Sequence, residues 1–134
     1  MTDHPLTPYV RRLANLMGLS NWHVTVTVGD TVEEDSYAEI TPWSERFRGD
    51  IVLNSRWKPE NKEDVREILV HELLHLHFAS LDQAVGSLDT LLGKPAYTVF
   101  RDRYNPDREK AVQQIARFWS PTLPLPPTHR ISVA

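Results

Sequence analysis

The sequence predicts an α+β domain, and three observations carry that expectation. Alternating apolar and polar residues are confined to a stretch between residues 22 and 54, flanked on both sides by helical periodicity. The 134 residues leave room for one domain of ordinary size. Gly18, Gly29-Asp30, Pro42 and Pro59 separate the periodic runs, so the segments read as separate elements.

The first element is an amphipathic helix carrying Tyr9, Val10, Leu13, Leu16 and Met17, with Thr7 as its expected cap, Pro8 in its first turn and Gly18 at its end. Trp22, Val24, Val26 and Val28 then alternate with His23, Thr25 and Thr27, the period of a half-buried strand closed by Gly29-Asp30. An acidic loop (Glu33, Glu34, Asp35) reads as solvated, with a basic substrate as its alternative use. Two further strands are expected at Ser36–Thr41 and Phe47–Asn54, separated by Pro42 and Ser44. Short links between three strands favour an antiparallel or mixed sheet.

After Pro59 the period becomes helical. Asn61 and Asp64 resemble a capping box, and the helix is expected to reach about Leu81. A short helix fits Ala84–Gly93, and a loop holding Tyr97, Phe100 and Tyr104 is expected to follow. Asn105-Pro106 reads as the cap and first turn of a last helix ending at Trp119. Prolines at 121, 124, 126 and 127 mark residues 121–134 as an extended or loosely packed tail beyond a domain spanning 1–120.

Composition removes several functions. Cysteine is absent, which excludes disulfides, iron–sulfur clusters and thiolate zinc sites. Acids and bases are interspersed at a net charge of −3, so nucleic acid is not an expected partner. No apolar run approaches the ~20 residues of a spanning helix, and neither membrane insertion nor a secretory signal is expected. Any metal site must use His, Asp and Glu.

The chemistry lies in His71-Glu72-Leu73-Leu74-His75, an H-E-x-x-H run inside the long helix. Spacing i, i+4 puts two imidazoles on one face, about one turn apart, and the intervening glutamate can hang beside the same point to take a proton from water. Chance would place such a run in about 2 of 100 sequences of this composition, so its surroundings matter. At about 100° per residue, Glu72 falls in the middle of the apolar stripe made by Ile68, Val65, Leu76 and Leu69. A carboxylate there is costly unless a cation or donor meets it. The rival reading is a core helix with a hydrogen-bonded glutamate. His77 falls on the opposite face with Glu63 and Arg66 and is expected to be solvated.

Catalytic zinc takes three protein ligands and one open position. Glu109, at the rim of the apolar face of Val112, Ala116 and Trp119, is the expected third ligand. Its competing role is to complement a helix N-terminus. Asp107, Asp102 and His129 are the alternative ligands.

Together His71–His75 and Glu109 resemble the glutamate-ligand (gluzincin-type) zincin metallopeptidases. The layout is similar to compact zincin-like domains often encoded by phages and prophages, such as the SprT-like and ImmA/IrrE-like peptidases. A third histidine of the SprT-like kind fits poorly, since none follows His77 until His129. The resemblance implies a cytoplasmic peptidase, for example in a phage-infected bacterium. It implies one Zn²⁺ held by His71, His75 and Glu109, Glu72 as general base, and a protein or peptide substrate. Tyr97 or Tyr104 is then the candidate oxyanion stabiliser, against ordinary aromatic packing. Substrate is expected along a sheet edge formed by Ser36–Thr41 or Phe47–Asn54. The alternative is a zincin-fold metal-binding module that regulates or docks a partner without cutting it.

Overall fold

A computed structural model of the chain describes residues 4–31, 33 and 35–127. The fold is α+β. Helix α1 (Thr7–Leu16) leads into strands β1 (His23–Gly29), β2 (Ala38–Trp43) and β3 (Arg48–Asn54). Helices α2 (Lys62–His77), α3 (Ala79–Gly86), α4 (Leu88–Leu92) and α5 (Lys94–Trp119) follow.

Helix α1 ends as its sequence predicts. Gly18 adopts φ +79°, its amide bonds the Asn15 carbonyl, and the Leu19 amide reaches back to Ala14 at 2.8 Å. That paired arrangement satisfies the orphan carbonyls of the last turn. Its start differs: Leu6 is the capping residue, without a side-chain bond, and Thr7 is already helical and buried.

The sheet is mixed, in the order β1-β3-β2, with β1 parallel and β2 antiparallel to β3. The central strand is therefore the last in sequence, and Phe47–Asn54 supplies no edge. Strand β2 is an edge, which is why it can run through Pro42 instead of stopping before it. Phe47 lies outside β3 at φ +49°, and its ring packs edge-on against Trp22 at 5.5 Å. Val24, Val26, Ile51 and Leu53 point to one face and are nearly fully buried there. Burying each such side chain stabilises the fold by roughly 1.5–3 kcal/mol.

Helix α2 lies across that face. Asn61 caps it, its side-chain oxygen accepting from the Asp64 amide at 2.8 Å. The helix comes close to the sheet at Gly49, where an added Cβ would stand 3.0 Å from a Leu76 methyl. Val65, Leu69, Val70 and Leu73 are wholly buried, since α1 and the sheet cover one side of the helix and α5 covers another. The helix stops at His77 and not at Leu81. Phe78 takes a tighter turn, with its amide on the His75 carbonyl, and α3 restarts from there.

The largest departure from expectation is α5. The segment with Tyr97, Phe100 and Tyr104 is helical, and Pro106 sits inside one continuous 26-residue helix instead of opening it. Proline there removes one intrahelical donor. The Arg103–Asp107 pair spans the interruption at 2.9 Å, and contacts from Tyr104 and Arg108 to Asp82 fasten the same turn to α3.

Beyond α5 the proline-rich segment is docked and not loose, as far as Pro127. Leu123 is buried, its carbonyl accepts from Arg66 Nη1 at 2.8 Å, and the Pro124 carbonyl accepts from the Tyr9 hydroxyl at 2.7 Å. Among the described residues, no helix is long and apolar enough to cross a membrane.

Candidate metal centre

Two elements build the site. Helix α2 presents His71, Glu72 and His75 toward a cleft of about 760 Å³, and α5 presents Arg108 and Glu109 from across it. The edge strand β2 forms the cleft's third wall through Ala38, Glu39, Ile40 and Pro42. A neighbouring hollow of about 810 Å³ meets the cleft at Ser36 but contains no imidazole.

Donor atoms of His71, Glu72 and His75 lie within 4.8 Å of one another. Glu109 completes the group: one carboxylate oxygen is 3.2 Å from His75 Nε2, the other 3.4 Å from His71 Nε2. Zinc bonds of about 2.0–2.1 Å, arranged tetrahedrally, separate neighbouring ligand atoms by about 3.3–3.4 Å. Two imidazoles and a carboxylate are also a donor set that zinc accepts. Such a donor set could hold the ion.

Glu72 is only 8% exposed, and burial pushes its pKa up to about 7, against the opposing pull of His71 and His75. Its nearer oxygen is 3.8 Å from His71 Nε2, so no hydrogen bond ties it to that ring. Glu109 is the opposite case. Its bonds to His71 and His75 hold its carboxyl far below the usual range. Burial alone would lower His71, but Glu109, Glu72 and Gln113 outweigh it and raise the imidazole's pKa. In the metal-free protein, protons shared with Glu109 do the work that a divalent cation would take over.

Gln113 escaped the sequence reading. Its side-chain oxygen is 2.7 Å from His71 Nδ1, and its amide nitrogen donates to Glu67 at 3.4 Å. The amide nitrogen thus faces Glu67 and the oxygen, which can only accept, faces His71. His71 therefore keeps a proton on Nδ1, and giving up the Nε2 proton that it shares with Glu109 would leave the Nε2 lone pair for a metal. The available signal was spacing: Gln113 lies four residues after Glu109, on the same helical face.

Several expected residues lie elsewhere. Asp107 pairs with Arg103 and Asp102 with Arg101, both away from the imidazoles. His129 and Glu34 fall outside the described residues. His77 is exposed, as its angular position predicts, with Nε2 2.9 Å from the Met17 carbonyl. Tyr97 does not line the cleft; it precedes Glu109 by about 18 Å of helix and packs under Arg101. Tyr104 faces a separate recess beside Phe78 and Phe100, and its hydroxyl is spent on Asp82 at 2.6 Å. Glu109 stands about four turns inside α5, which removes its competing role at a helix N-terminus.

No protein family, curated protein or solved structure matches this chain. The site's chemistry rests on its own geometry.

Proposed function

We propose that this chain is a zinc-dependent peptidase of the gluzincin type. The observation that carries the reading is Glu109 facing both imidazole Nε2 atoms while a second, buried carboxylate, Glu72, stands unbonded beside them.

His71, His75 and Glu109 would hold the ion, with Gln113 fixing the His71 tautomer. Bound there, Zn²⁺ supplies a water whose pKa is lowered from 15.7 to about 7 and a Lewis acid for a carbonyl oxygen. Glu72, buried beside the two imidazoles, would take the proton from the attacking water and return it to the leaving amine. An extended peptide fits along the outer side of β2, an edge strand that lines the cleft.

Metal analysis and peptide cleavage test the reading together. The wild type is expected to hold near one zinc per chain, and His71→Ala and His75→Ala to lose it. Glu72→Gln is expected to keep the zinc and abolish cleavage. Zinc binding in wild type with no cleavage of any peptide library would favour a metal-binding regulatory module instead. Less than about a tenth of an equivalent of zinc, under zinc-replete conditions, would reject both.

A further inference from the structure

We propose that Arg108 is the cleft's oxyanion donor, the role expected of a tyrosine, with Asp82 and Tyr104 as the residues that position it. This inference rests on the peptidase reading. Arg108 immediately precedes Glu109 and lines the same cleft as His71, Glu72 and His75. Its Nη2 is 3.5 Å from the Glu109 oxygen that itself lies 3.2 Å from His75 Nε2, so the cation adjoins the place where a carbonyl would be attacked.

Asp82, which also lines the cleft, holds the guanidinium. Nη1 is 3.2 Å from Asp82 Oδ1, the same oxygen that accepts from the Tyr104 hydroxyl, and the Tyr104 ring lies 5.7 Å from the guanidinium carbon. Tyr104 and Arg108 are one turn apart on α5, and Asp82 comes from α3, so three side chains on two helices fix one cation. Fastening the helices needs only the contact with Asp82. It does not account for the same side chain also approaching Glu109 in the cleft. A guanidinium has five N–H donors, and the contacts to Asp82 and Glu109 leave Nη donors over.

The step balances with groups already described. The water oxygen bonds to the carbonyl carbon, and the carbonyl π pair moves onto its oxygen. Arg108 donates a hydrogen bond to that oxygen without giving up a proton, since a guanidinium stays charged. Glu72 takes the water proton and passes it to the amine nitrogen as the C–N bond breaks. The oxygen's pair then reforms the carbonyl of the new carboxylic acid. Preorganised donors aimed at developing charge are commonly the largest single contribution to such reactions.

The test compares zinc-loaded wild type with Arg108→Met, Arg108→Lys and Arg108→Ala. Zinc content and melting temperature are measured alongside kcat, KM and calorimetric affinity for a phosphinic peptide, a tetrahedral anion. The expected result is a loss of about 10²–10³ in kcat with KM little changed, and a comparable loss of phosphinic-peptide affinity. Zinc content should stay near one, and added guanidinium should partly restore Arg108→Ala. Lysine, a point charge without the planar fork, should not substitute fully. Unchanged kcat and phosphinic affinity in Arg108→Met would overturn the proposal, as would losses that merely follow lost zinc or lost folding. A zinc-loaded wild type that neither cuts peptides nor binds the phosphinic peptide overturns the peptidase reading and this role with it.

Discussion

Gln113 makes Nδ1 of His71 a donor and so turns Nε2 toward Glu109, orienting the ring through a residue that need never touch an ion. Outer partners of this kind typically change metal affinity by 10–100-fold when removed. Gln113→Leu should therefore weaken zinc binding by about that factor, read by competition with a chromogenic chelator, while the melting temperature of the metal-free protein moves little. An unchanged affinity would mean that the ring is oriented by packing alone. At this scale the sequence was partly legible. His71, Glu72 and His75 stand within one turn, so a local spacing rule finds them. Glu109 could be narrowed to a short candidate set. Gln113 and Arg108 act through distances between helices, to which a one-dimensional pattern is blind.

Among the elements, α2 was the most readable because its signals are local: a capping asparagine, a periodic apolar stripe and a long uninterrupted run. Its cap yields a prediction. Asn61→Ala removes the acceptor of the Asp64 amide and should cost about 1 kcal/mol in chemical denaturation. Zinc affinity should be unaltered, because His71 lies more than two turns away. A parallel loss of zinc would show that the helix start and the site are coupled. Helix α5 was the least readable. Asn105-Pro106 has the local chemistry of a helix start, but tertiary contacts through Asp82 override it and carry the helix through the proline. The break at Phe78 has no glycine or proline to announce it. Strand positions came out within about two residues at their ends, as alternation allows.

For the whole molecule, the central place of β3 was not legible, since pairing order depends on which strands meet across the connection and not on the composition of any one. The tail shows the same limit. Its prolines suggest an independent segment, yet Leu123 is buried and Tyr9 and Arg66 hold the backbone beside it. Burial pushes the Tyr9 hydroxyl up to about 12, with Arg66 and Arg12 opposing. A folded-state pKa above the unfolded value of about 10 gives stability that is fully present below pH 10 and lost as pH rises through 12. Denaturation midpoints should fall across that window, and less steeply in Tyr9→Phe, which has no hydroxyl to ionise. An identical slope in the variant would place the alkaline transition elsewhere.

The central claim is that three side chains from two helices, His71 and His75 on α2 and Glu109 on α5, hold a single divalent ion. Competitive zinc titration of wild type, Glu109→Ala and Asp107→Ala tests it most directly. The account predicts one site per chain, a marked loss of affinity in Glu109→Ala, and wild-type affinity in Asp107→Ala. Equal affinity in wild type and Glu109→Ala, or a loss confined to Asp107→Ala, would contradict it.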